Sequence, residues 1–197
     1  TGLPITIGAY GEGDNPVITG FNTLAGWNDE GNGIRSGIIV AESSTNMVTV
    51  DNIQYAMGRY PNKGNNLIYE SHFGKNIIVD NQLSSTINWK GAEVVINKND
   101  WTLDRCLITE QSGTSITYSN LGGVDEPENN RYYFIQNDIR TLDVFGEWFY
   151  NKTEGKLYMY FGTTDPSSKE IKVATLNNLV SNNGFDFITI EGLNFIG

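Results

Sequence analysis

Two clusters of carboxylates, Asp29-Glu30 and Asp125-Glu126-Pro127-Glu128, are the places where the residue types could serve paired acid and base chemistry. A glycosidic bond is cut by two carboxyl groups about 5 to 9.5 Å apart, one donating a proton and the other acting as base or nucleophile. Both clusters sit in Gly- or Asn-rich, turn-like sequence, where solvated surface charge is the simpler expectation. His72 is the only imidazole and follows the strand-like Leu67-Ile68-Tyr69, which predicts a surface or loop position rather than a general base. Ser71 beside it carries no nucleophile elbow. Cys106, the single cysteine, is expected to be a buried structural thiol. One His and one Cys do not make an ordinary zinc site, and Asp14, Asp29 and Asp125 lack EF-hand spacing. No catalytic residue, metal or cofactor is therefore assigned.

Binding is a better prospect than catalysis at three residues. Trp27 lies in the polar stretch Gly26-Trp27-Asn28-Asp29-Glu30, where no strand pattern calls for its burial. An indole face beside a carboxylate suits a sugar ring, which has an apolar face and a hydroxyl rim. A plain packing contact is the competing role. Arg59, in Gly58-Arg59-Tyr60-Pro61, has the geometry to grip a carboxylate, although an Arg before a Tyr-Pro turn more commonly pins a loop through carbonyls. Trp27, Asp29 and Arg59 are the candidate substrate-binding residues.

The scaffold of these side chains contains 22 glycines and 12% aromatic residues in a chain of 197, which point to many tight turns joining strands, hence to an all-β fold. Strands are predicted at Pro4–Tyr10, Pro16–Ile18, Gly37–Ala41, Met47–Val50, Ile53–Met57, Ala92–Ile96, Cys106–Thr109, Ser115–Tyr118 and Arg131–Ile135. Gly146–Tyr150 and Lys156–Tyr160, joined through Asn151–Gly155, predict an antiparallel hairpin in which Trp148 and Tyr158 pair across the strands. Short helices are expected only at Asp125–Asn130 or Asn137–Leu142. Gly11-Glu12-Gly13 and Gly31-Asn32-Gly33 open no helix and carry no Lys-Ser/Thr, so they read as turns rather than phosphate cradles. Phe185 to Gly197 alternates apolar residues about Gly192, the pattern of one solenoid rung, which buries its apolar face only when neighbours stack on it.

A net charge of −10 and a pI near 4.5 argue against a nucleic-acid partner, which requires clustered Lys and Arg. The apolar runs are too short for a membrane span of about 20 residues. Thr1 is not a Met and no signal-like segment follows it, so any export signal is expected to have been removed or left out.

Pro4-Ile5-Thr6-Ile7-Gly8-Ala9-Tyr10-Gly11-Glu12-Gly13-Asp14-Asn15-Pro16-Val17-Ile18, with Met57-Gly58-Arg59-Tyr60-Pro61-Asn62 after it, forms one distinctive set of words. Phe145-Gly146-Glu147-Trp148-Phe149-Tyr150-Asn151-Lys152, Gly155-Lys156-Leu157-Tyr158-Met159-Tyr160 and Phe187-Ile188-Thr189-Ile190-Glu191-Gly192-Leu193-Asn194-Phe195 form another. Together, and in this order, they resemble the N-terminal part of bacterial right-handed parallel β-helix proteins that act on polysaccharides, among them glycoside hydrolases and polysaccharide lyases. The resemblance implies first coils of a β-helix at 1–58, an inserted antiparallel β domain at 59–176, and a resumed, truncated rung at 177–197. It further implies a secreted or cell-envelope protein with a polysaccharide or oligosaccharide partner, and catalytic side chains on coils beyond Gly197. A fragment of that kind is expected to be inactive and to self-associate through its open β-helix end. The competing expectations are a non-catalytic glycan-binding or surface-adhesion module and, behind it, a tailspike-like structural protein.

Overall fold

The computed structural model describes residues 3–83, 87–119 and 125–197. The protein is all-β: two 3-10 turns, Ile139–Thr141 and Pro166–Ser168, are the only helical elements among the described residues. Asp138 caps the first by accepting from the Arg140 N–H, within the segment expected to be helical; Asp125–Asn130 forms no helix.

The two ends of the chain pair with one another. Ile5–Gly8 runs parallel to Ile188–Glu191, with Ile5 opposite Ile188 and Gly8 opposite Glu191. Val17–Thr19 runs parallel to Asn194–Ile196. The two ladders turn in step, because Gly192 at φ 65° makes the corner between Ile188–Glu191 and Asn194–Ile196 while lying over Ala9, which an added Cβ would meet at 3.2 Å. Apolar side chains on these ladders remain exposed, among them Ile5, Ile7, Val17, Phe195 and Ile196.

Among the described residues, every strand between the ladders pairs antiparallel, with one isolated parallel bridge between Met57 and Trp148. One four-stranded sheet has the order Trp148–Asn151, Lys156–Tyr160, Ile34–Ile38, Asn28–Gly31; a second has the order Phe21–Leu24, Ile171–Ala174, Val48–Val50, Ile53–Tyr55. Of the strands in the stretch 1–58, expected as first coils, Ile5–Gly8 and Val17–Thr19 pair in parallel, whereas those from Phe21 to Tyr55 belong to these two antiparallel sheets. The reason is complementarity of apolar faces, since Val48 and Val50 with Ile171 and Val173 meet Trp148, Tyr150, Leu157 and Met159 in one buried core. The sheets approach closely at Gly37, where a Cβ would fall 2.8 Å from Leu24.

A third sheet of eight strands is built from residues 59–136, in the order Ser71–Phe73, Ile77–Val79, Ser115–Tyr118, Leu103–Ser112, Glu93–Asn97, Arg131–Gln136, Arg59–Tyr60, with Leu67–Tyr69 also on Arg131–Gln136. Alternation places Val94, Ile96, Cys106, Ile108, Tyr133 and Ile135 on one buried face. Cys106 is buried there, and desolvation pushes its thiol pKa up, as suits an inert structural thiol. Lys98 is buried beside this core and ion-paired to Asp104 at 2.8 Å.

The Trp148–Asn151 and Lys156–Tyr160 hairpin forms as expected, but its register sets Trp148 opposite Met159 and Phe149 opposite Tyr158. Trp148 turns inward and donates its indole N–H to the Tyr55 carbonyl, while Phe149 and Tyr158 stack with centroids 5.8 Å apart. Gly146 just before it has φ 90°, and the Tyr55 ring occupies the place of its missing Cβ, 1.9 Å from where that atom would stand. Gly146→Ala therefore combines a strained backbone, at roughly 1–3 kcal/mol, with overpacking, at roughly 1–3 kcal/mol. Urea unfolding is expected to show the variant destabilised by about 3–4 kcal/mol, and an unchanged midpoint would contradict the packing of Tyr55 against this turn.

Candidate functional site

The two four-stranded sheets part at one edge of their sandwich and leave a cavity of about 530 Å³ between edge strands Phe21–Leu24 and Asn28–Gly31. This volume falls within the roughly 300–1,000 Å³ of small-molecule sites. Trp27 forms one wall, half-buried, with its ring edge-on to Phe161 at 5.0 Å between centroids. Gly26, with φ 79°, is open on the side where a Cβ would stand.

Asp29 and Arg35 are directly opposed on neighbouring strands, in the same cross-strand row as the inward-facing Met159 and Trp148. They therefore point to the inner side of the sheet at the cavity mouth, where charge also discourages a further strand from docking on the edge. Arg35 Nη1 donates to Asp29 Oδ1 at 2.7 Å, and the same oxygen accepts from the Gly31 N–H at 2.8 Å. Asn32 and Gly33, with φ 51° and 81°, turn this hairpin, in keeping with the expected Gly31-Asn32-Gly33 turn. Glu30 accepts a hydrogen bond from the buried Ser36 hydroxyl at 2.6 Å.

The far wall comes from 130 residues downstream. Asp165, Pro166, Ser167 and Lys169 line it, and Lys169 Nζ reaches out to Asp51 Oδ2 at 2.8 Å. Asp165 caps the 3-10 turn Pro166–Ser168 by accepting from the Ser167 N–H. That bond, with a smaller contribution from Arg35, holds its carboxyl below the usual carboxylate range, so it stays ionised. Among the described residues, the carboxyl pushed upward is Glu147, mainly by burial, and it lies away from the cavity, accepting from the Asp143 and Val144 N–H groups. The cavity thus holds hydrogen-bond acceptors beside an indole.

Arg59 is placed elsewhere. Its Nε donates to the Pro61 carbonyl at 2.9 Å, its Nη2 donates to the Asn65 carbonyl and to Asn66 Oδ1, and its guanidinium lies 3.6 Å from the centre of the Phe134 ring. It pins the 61–66 loop against the eight-stranded sheet. The acidic residues at 125–128 are likewise used locally: Asp125 accepts from the Thr102 hydroxyl, Glu126 lies 3.5 Å from His72, and Glu128 pairs with Arg131. His72 is partly exposed and also hydrogen bonds with Asn129. No group of three or more His, Cys, Asp or Glu that could hold a metal ion occurs among the described residues.

A solved structure titled as a glycoside hydrolase superposes on 98% of this chain with a TM-score of 0.73 and 16% sequence identity. The chain spans 38% of that protein's length. No family model matches the sequence, and no curated protein matches it. The likeness is one of fold.

With its fork divided among three oxygens and its face on Phe134, Arg59 is a structural clamp that a lysine's point charge does not reproduce. Arg59→Lys is expected to lower stability by about 1–2 kcal/mol in urea unfolding. Unchanged stability of the variant would contradict the clamp.

Proposed function

We propose that this chain is the N-terminal, non-catalytic region of a secreted or cell-envelope β-helical enzyme that degrades a polysaccharide or oligosaccharide, by hydrolysis rather than elimination. In this reading residues 3–19 and 188–197 are adjoining coils of a right-handed parallel β-helix, and the antiparallel sheets between them are an insertion that walls one side of the substrate cleft. The observation that carries it is the parallel, in-register pairing of the two chain ends around some 170 residues of antiparallel structure. That topology agrees with the fold likeness to a protein titled glycoside hydrolase, over a third of whose length this chain covers.

Two further features support it. The parallel ladders are two strands wide and apolar on their exposed faces, a marginal arrangement unless further strands stack against them. A hollow of about 510 Å³, lined by Ile7, Val180, Phe185, Ile188 and Ile190 together with Ser181, Asn182 and Asn183, opens beside them. No helix among the described residues is long and apolar enough to cross a membrane.

The 197-residue chain is expected to release no reducing ends from plant or algal polysaccharides, whereas the longer protein extended past Gly197 releases them. Turnover by the 197 residues themselves would overturn the non-catalytic assignment. Sedimentation at increasing concentration is expected to show self-association of the 197-residue chain that disappears in the extended protein, because the added strands cover the ladder edges. A strictly monomeric chain would instead favour the reading of a self-contained glycan-binding module.

A further inference from the structure

The cavity between the sandwich sheets has a charge pattern that selects among sugars. Its two cations are already neutralised: Arg35 by Asp29 at 2.7 Å, and Lys169 by Asp51 at 2.8 Å. Asp165 has no such ion pair, so the charged lining (Asp29, Asp165, Arg35, Lys169) together with Asp51, which lies behind Lys169 outside the lining, carries one more negative than positive charge, on a chain of net charge −10. The Asp29 side chain is 66% exposed even while bound to Arg35, and its hydrogen bonds to Gly31 and Arg35 fall on Oδ1. Asp165 similarly accepts from the Ser167 N–H through Oδ1. Asp29 therefore keeps its second oxygen for a new donor, while Asp165 is bonded by both the N–H and the side chain of Ser167.

Ionised carboxylates accept short, strong hydrogen bonds from hydroxyl groups and repel other anions across less than a Debye length of about 10 Å. Hydroxyl groups converging on Asp29 and Asp165, with a C–H face on the Trp27 indole, describe an uncharged pyranose or furanose ring. A uronate or a sulfated sugar would bring a further anion beside Asp29, Asp165 and Asp51, whose charges the two cations already offset in part. Resting on the carbohydrate reading above, we infer that this cavity is a subsite for a neutral sugar residue of the glycan and discriminates against uronic acids.

The electrostatic argument makes a reciprocal prediction. Asp29→Asn removes one acceptor charge and at the same time releases Arg35, so the variant is expected to lose neutral-sugar affinity and gain affinity for uronates. Binding is measured on the 197-residue chain by two-dimensional NMR, titrating cello-, xylo-, manno- and galacto-oligosaccharides against oligogalacturonate. The expected result is millimolar binding of at least one neutral series, with shifts concentrated at residues 23–35 and 165–169 and at the Trp27 indole, and no response to oligogalacturonate. Trp27→Ala is expected to weaken that binding at least about tenfold. Asp29→Asn, which leaves the Trp27–Phe161 packing intact, is expected to weaken it about three- to tenfold and to bring in a response to oligogalacturonate. Preferential binding of oligogalacturonate by the unaltered chain would overturn the inference, as would shifts elsewhere or no response to any of the neutral series. Those outcomes leave the wider reading to be decided by whether the longer protein degrades glycans, so the two fail separately.

Discussion

The parallel register between Ile5–Gly8 and Ile188–Glu191 is the constraint on which the rest of the structure depends. Closing a loop of some 180 residues carries an entropic cost that four backbone-paired positions do not offset alone. The intervening chain must therefore return its own end to the starting point. It does so through successive closures: Phe21–Leu24 pairs with Ile171–Ala174 directly inside the ladders, and Ile34–Ile38 pairs with Lys156–Tyr160 inside that. Arg59–Tyr60 then opens the eight-stranded sheet and Arg131–Gln136 brings the chain back to it. Each inner sheet, stabilised by its own apolar core, shortens the loop that the next outer pairing has to close.

The same nesting makes the cavity. An edge strand from near residue 21 and another from near residue 30 bound the sandwich at the side where Pro166–Ser168 lies, and the cavity opens between them. Trp27 covers part of it by leaning on Phe161, and the Asp29–Arg35 pair holds the mouth. Placing charges at the inner side of an edge strand costs solvation unless water or polar ligands reach them, which keeps that mouth open to solvent and to polyhydroxylated molecules.

Local patterns were legible where the information is local. The Gly146–Tyr160 hairpin shows in its alternation and its Gly155 turn, Asn32-Gly33 marks a tight turn, and the strands Ile188–Glu191 and Asn194–Ile196 show in the spacing of apolar residues about Gly192. Pairing between distant strands leaves no such trace. Val48 and Val50 look the same whether they stack in a coil or face Trp148 and Leu157 in a sandwich, so the stretch from Phe21 to Tyr55 was expected in the coils and lies in the antiparallel sheets. Phe21–Leu24 and Ile171–Ala174, short and flanked by polar residues, carry too little periodicity to announce themselves. Trp27 and Asp29 could be picked out because an indole in polar sequence is unusual. Their partners Asp165 and Lys169, ordinary charges in a turn, become part of the site only through the fold, and Arg59 belongs to a different sheet.

Disulfide trapping between the chain ends tests the organising claim most directly. Thr6 and Thr189 are opposed in the first ladder, and the one native cysteine, Cys106, is buried in the eight-stranded sheet. Thr6→Cys combined with Thr189→Cys should cross-link readily under mild oxidation and raise the unfolding midpoint, while Thr6→Cys combined with Ile190→Cys, one residue out of register and on the opposite face, should not. Equal cross-linking of both pairs, or of neither, would contradict a fixed parallel register between the two ends of the chain.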